Sequence, residues 1–224
     1  MNRRTLVLAS ASAAIVVFAG GAALYNGNTT EPTPAPAPVP VSGNNTLVRM
    51  HSPVMGPVSA PVTIVEFFDP SCEACRAFYP IVKQMMAQTG SDVRLVLRYT
   101  AFHQGSDDAV RILEAARKQN RFQPVLEAIL DQQPVWADHG KPNLEKAWQI
   151  AASAGLDIDQ GRKDAASPSV DKVLAQDMAD VKANNVKQTP TFFVNGKPLT
   201  EFSPQGLLNL VRAEINAARQ VPEF

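Results

Sequence analysis

Residues 62–68, Val-Thr-Ile-Val-Glu-Phe-Phe, are nearly all apolar and of the types that favour extended backbone. Such a run predicts a central strand covered on both faces. After Ser71 the spacing becomes helical, with Phe78, Ile81, Val82 and Met85 on one face and Gly90 as the stop. Pro80 lies inside that pattern and predicts a kink. Asp92-Val-Arg-Leu-Val-Leu-Arg-Tyr99 alternates with period two and predicts a second strand. Strand, helix, strand in this order implies a parallel pair with a right-handed crossover. From about Ser106 to Asn185 the signals are helical. Ser106-Asp-Asp108 caps a run with Val110, Ile112, Leu113 and Ala116, and another helix opens near Phe122 with Pro124 in its first turn. Asn143 caps a third that stops at Gly155, and Ser169 opens a fourth carrying Val170, Val173, Leu174, Met178 and Val181. Strands return as Thr191-Phe-Phe-Val194 and Lys197-Pro-Leu-Thr200, joined by Asn195-Gly196, a strong hairpin signal because both turn residues take positive φ. Ser203 and Pro204 start a last helix with Leu207, Leu208, Val211 and Ile215 inward.

The amino-terminal segments read differently. Arg3 and Arg4 precede an uncharged stretch from Thr5 to about Tyr25, the order of an export signal. Its length exceeds a usual signal core of about 7–15 residues and approaches the roughly 20 that span a bilayer. Both an uncleaved anchor and a signal cleaved near Ala19, Gly21 or Ala23 therefore stay open. Either way the downstream chain is exported, with the arginines left in the cytoplasm. Proline stands at every second position from Pro32 to Pro40, which favours an extended, semi-rigid spacer and suits a tether. The expected organisation is a signal or anchor over residues 1–25, a Pro-rich linker over 26–54 and one α/β domain over 55–224, with a helical insert at about 104–185.

Charge narrows the partners. Among 224 residues, Lys+Arg and Asp+Glu both number 21, so the chain lacks the basic footprint that nucleic-acid binding needs. The two cysteines, Cys72 and Cys75, sit three positions apart, too few for a disulfide scaffold or a four-cysteine zinc site. Cys-Glu-Ala-Cys falls at the predicted junction of first strand and helix. There the Cys72 sulfur can face the unpaired N–H groups and dipole of the first turn, which stabilise the attacking thiolate. Cys75, one turn in, is placed to resolve a mixed disulfide. A structural disulfide, two ordinary core thiols or half a metal site are the other readings of the pair.

Residues 62–80 around Cys-Glu-Ala-Cys resemble the active-site region of the thioredoxin superfamily. Val186-Lys-Gln-Thr-Pro190-Thr-Phe-Phe-Val-Asn-Gly196 resembles its cis-proline loop and closing hairpin. The long helical insert between them is similar to that of the DsbA-like thiol–disulfide oxidoreductase family. The resemblance implies a thioredoxin fold with an inserted helical domain and a periplasmic dithiol–disulfide exchange enzyme that needs no cofactor or metal. By position, Cys72 matches the exposed nucleophile and Cys75 the buried resolving thiol. Pro190 matches the cis-proline, and Thr189 supplies backbone for a substrate strand. Glu66 matches the acidic residue beneath the site, where a half-buried carboxylate with a raised pKa would relay a proton to Cys75. Two departures bear on electron flow: Glu73-Ala74 stands where strong oxidants carry Pro-His, and Thr189, as in some isomerase and reductase relatives, where they carry Val, so disulfide formation and isomerisation or reduction both stay open. Client proteins and a membrane redox partner are the implied partners, and a monomer the implied state. The alternatives are a periplasmic copper or zinc module using Cys72, Cys75 and a histidine, or a substrate-binding chaperone on the same fold. His103, just after the second strand where the insert begins, reads first as a loop histidine without a catalytic role and second as lining the active-site face, while His51 and His139 carry no signal.

Overall fold

The computed structural model describes residues 46–138 and 140–220. The expected signal or anchor, the proline-alternating part of the linker and His139 lie outside the described residues. Among the described residues no helix is long and apolar enough to cross a membrane.

The elements run in the expected order. Strand β2 (Val62–Phe68) leads into helix α1 (Glu73–Thr89), and a 3-10 turn at Gly90–Asp92 returns the chain to β3 (Val93–Tyr99). Pro80 lies within α1, which runs unbroken across it. Six helices follow: α2 (Ser106–Lys118), α3 (Phe122–Asp131), α4 (Gln133–Trp136), α5 (Leu144–Ser153), α6 (Ile158–Ala165) and α7 (Pro168–Ala183). The hairpin β4 (Thr191–Val194) and β5 (Lys197–Pro198) and helix α8 (Pro204–Arg219) close the chain. Asn195 and Gly196 take φ of 47° and 82°, as the tight turn requires. The Asn195 side chain also accepts the Thr63 N–H at 2.8 Å, stitching the turn to the neighbouring strand.

The sheet order is β1-β3-β2-β4-β5, where β1 is Val54–Met55. β2 and β3 pair in parallel, placing Glu66 opposite Leu97, and β4 runs antiparallel to β2 with Phe192 opposite Glu66. Alternation then divides the side chains between two cores. Val62, Ile64, Phe68, Leu95, Leu97, Tyr99, Phe192 and Val194 join the main core with α1 and the helical insertion. Val65, Phe67 and Val96 join a smaller one on the other face, with Leu47, Val181 and Val186. The result is the thioredoxin fold with a helical insertion.

Three details differ from expectation. The packed region extends back past Met55: Leu47 is buried, Arg49 pairs with Asp180, and Val54–Met55 adds the edge strand β1 on β3. The stretch before α7 holds a further helix, α6, capped by Asp157, and the α7 cap is Ser167 rather than Ser169. Helix α6 (Ile-Asp-Gln-Gly-Arg-Lys-Asp-Ala) turns only Gly161 and Ala165 fully inward, so it lacks an apolar stripe. Its Gly161 is needed for contact, since a Cβ there would lie 3.1 Å from the Trp148 ring.

Candidate active site

β2 ends at Phe68, and Asp69-Pro-Ser-Cys72 carries the chain into α1. Cys72 is the N-cap, in extended backbone, and its N–H donates to the Asp69 carbonyl at 3.1 Å. Cys75 lies in the first turn and is wholly buried, while Cys72 exposes 6% of its surface. The contrast in exposure is smaller than the sequence suggests. The chemical contrast is larger.

The Cys72 thiol pKa is lowered to about 5. The Cys75 thiol, donating to it, is the main cause; burial opposes, and Thr189 and the N–H groups of Cys75 and Ala74 add to the lowering. The helix terminus therefore contributes less than its position in sequence implies. Cys75 is pushed the other way, first by burial and then by its bond to Cys72, so it holds its proton. The Asp69 N–H donates to the Cys75 sulfur at 3.4 Å.

The Thr189–Pro190 peptide is cis, and the loop it forms abuts the cysteines. The Cys72 thiol donates to the Thr189 carbonyl at 3.2 Å. The Thr189 hydroxyl is buried without a hydrogen-bond partner. Once Cys72 ionises it can no longer donate, and that hydroxyl is the donor at hand. Glu66 is not half-buried but wholly so, between Leu97 and Phe192, and neither carboxylate oxygen has a partner. Burial, with the Cys72 charge behind it, raises its pKa to about 8. Glu73 and Ala74 occupy the first turn of α1, with Ala74 packed against the main core.

Three further residues shape the site without having been signalled by motif. Buried Gln133, from α4, donates to the carbonyls of Pro70 (2.8 Å) and Cys72 (3.0 Å) and accepts from Arg76. Asp69 is fully buried and holds His103, so that histidine lies at the site rather than loose on a loop. Asp69-Pro-Ser does carry a local sign, because the Ser71 N–H donates to the Asp69 carboxylate at 2.8 Å in an Asx turn. Nothing in the sequence points from Asp69 to His103 or from Cys72 to Gln133. Among the described residues there is no group of three or more His, Cys, Asp or Glu that could hold a metal ion.

A thioredoxin family model, Thioredoxin_4, matches residues 49–213. A thioredoxin-like oxidoreductase from Silicibacter pomeroyi DSS-3 is 30% identical, with a TM-score of 0.67 over 81% of this chain and 100% of its own. The alpha-DsbA1 structure of Wolbachia pipientis, 17% identical, shares the fold with a TM-score of 0.67 over 77% of this chain and 95% of its own. The Na(+)/H(+) antiporter NhaA of Herminiimonas arsenicoxydans is 33% identical over 148 residues, or 65% of this chain. This chain spans only 22% of that antiporter's length.

Proposed function

The chain belongs to the thioredoxin family, in a DsbA-like form with a helical insertion, and from that premise we propose that it exchanges disulfides with client proteins through Cys72 and Cys75. The carrying observation is Cys72 at the helix N-cap against the cis Thr189–Pro190 loop, with Cys75 wholly buried one turn in. The two thiols are pushed in opposite directions, Cys72 toward the thiolate and Cys75 toward the protonated form. A client thiolate attacks the Cys72 sulfur of the Cys72–Cys75 disulfide, and the Cys75 sulfur leaves and takes up a proton. The client's second thiolate then attacks its own sulfur in the mixed disulfide and expels Cys72 as thiolate. Two electrons pass from the client's thiols to the pair, and the client gains one disulfide. Glu66 serves as the buried acid and base that supplies the proton to Cys75 and removes it when the pair is reoxidised.

Stabilising the Cys72 thiolate favours the reduced pair and so makes the disulfide oxidising. A thiol near 5 lies between the strong oxidant of this class at about 3.5 and thioredoxin at about 7. The potential belongs between about −120 and −270 mV, an interval that spans both oxidation of client dithiols and reduction of client disulfides. Disulfide exchange suits export through residues 1–25 to a periplasmic compartment, with a membrane redox partner to reset the pair, and a monomer. The antiporter name belongs to proteins several times longer and is not carried to these residues.

The test is Cys75→Ser, which leaves Cys72 intact and removes the resolving thiol. The variant accumulates mixed disulfides with reduced, unfolded substrate proteins, and Cys72→Ser traps none. Faster alkylation of Cys75 than of Cys72 in the native dithiol protein would overturn the assignment.

A further inference from the structure

The active-site face carries a basic group with no part in the exchange chemistry above. His103 stands just before α2, where the helical insertion begins. Its Nδ1–H donates to Asp69 Oδ2 at 2.6 Å, and its backbone N–H reaches the same oxygen at 3.1 Å. The other donors to this carboxylate are the N–H groups of Phe102 (3.0 Å) and Ser71 (2.8 Å) and the Ser106 hydroxyl (2.5 Å). Five donors around one buried carboxyl are the pattern that satisfies an ionised, acceptor-only group. The Asp69 backbone is bonded to both halves of the cysteine pair: its carbonyl accepts the Cys72 N–H, and its N–H donates to Cys75 Sγ. The imidazole is thus fixed to the one residue that also anchors both cysteines, and it keeps 34% of its side-chain surface exposed.

We propose that the His103–Asp69 pair is the electrostatic partner of Cys72, its imidazolium stabilising the thiolate that forms when the disulfide opens. This rests on Cys72 being the exchanging thiol. It assigns to the start of the helical insertion a charge that Glu73-Ala74 cannot supply. Among the groups that act on His103 are Asp69 after β2 and Cys72 and Glu73 at the head of α1. Burial lowers its pKa, but the Asp69 bond and charge, aided by Cys72 and Glu73, outweigh that and raise it. When a client dithiol reduces the pair, two electrons arrive with two protons. One stays on Cys75. The other goes to His103 if the ring was neutral, and to solvent if it was already charged. Coupling is reciprocal, so a Cys72 thiolate must raise the His103 pKa as much as the imidazolium lowers that of Cys72.

The test compares the full chain with His103→Gln, which keeps the backbone N–H bonds to Asp69. Thiolate absorbance gives the Cys72 titration, and equilibration with glutathione from pH 5 to 9 gives the redox balance. In His103→Gln the Cys72 pKa rises, and at about pH 6 the equilibrium moves about 3- to 10-fold toward the disulfide. Because the charge is present below the histidine's pKa and lost above it, the two proteins converge as pH rises. In the unmutated protein the ring, followed by NMR, titrates at higher pH in the dithiol than in the disulfide form. This second measurement decides the matter if His103→Gln fails to fold. An unchanged Cys72 titration and glutathione equilibrium in a folded His103→Gln, or a ring titration blind to redox state, overturns the proposal. A wild-type pair that does not exchange with glutathione overturns the exchange function itself, and this inference with it.

Discussion

The two faces of the sheet bury charged side chains to opposite effect. On the face of the smaller core, Arg98 is fully buried and meets both Asp177 (2.7 Å) and Asp180 (2.6 Å). Arg49 and His51 add to the same carboxylates, and the Tyr99 N–H donates to Asp177 at 2.8 Å. On the other face Glu66 is as deeply buried and has no partner for either oxygen. Among the described residues, the side-chain polar atoms buried without a partner belong to Glu66, Ser71 and Thr189, and all three surround the cysteine pair. A charge with several partners holds elements together. A carboxyl left alone costs stability when it ionises and so tends to keep its proton.

Breaking the satisfied side has the largest expected effect. Arg98→Met strands Asp177 and Asp180 without their buried counter-charge, and unfolding by urea should show a loss of about 3–5 kcal/mol. The folded fraction should still exchange disulfides, because the network lies on the far face from Cys72.

On the unsatisfied side the sign reverses. Glu66→Leu removes a buried carboxyl that has no hydrogen bond to lose, so stability at pH 7 should rise by about 1–3 kcal/mol. With a folded pKa of about 8, the Glu66 carboxyl in the unfolded chain ionises first as pH rises. Wild-type stability therefore declines between about pH 4.5 and 8, by up to about 1.4 kcal/mol per pH unit from this group, and levels off above. The decline should vanish in Glu66→Leu, while single-turnover exchange slows about 10²-fold. A variant both less stable and equally fast would erase the distinction between the two faces.

The smallest effect sharpens the comparison. Thr189→Val removes a partnerless hydroxyl, so stability should stay within about 0.5 kcal/mol. The Cys72 pKa should nonetheless rise by about one unit as the thiolate loses a donor. An unchanged thiolate titration would mean that hydroxyl plays no part.

Sequence alone made the frame of the site legible because its residues are near neighbours or carry backbone signatures. Cys72 and Cys75 share one turn, Asn195-Gly196 fixes the hairpin, and Glu66 stands out in an apolar strand. What it hid depends on residues far apart in the chain. His103 meets Asp69 across 34 positions, and Gln133 meets Cys72 across 61. β3 alternates in sequence, yet only Arg94 along it is less than fully buried. The segment at Leu47 and helix α7 cover the second face, and Arg98 is buried because it brings its own counter-charges. Periodicity reports which residues share a face, not what will later cover it.

The Arg98 network also decides how the domain would bear load. Arg98 Nη1 donates to the carbonyls of Thr46 and Leu47, the Thr46 hydroxyl donates to Asn184, and Arg49 grips Asp180 with two bonds of 2.7 Å. Tension on the backbone at Thr46–Arg49 would meet this clamp before it reached the two-residue strand β1. The bonds tie this segment to β3 and α7 together, so a pull there loads several bonds at once. A pull there would load the smaller core first, on the face of the sheet opposite the cysteine pair.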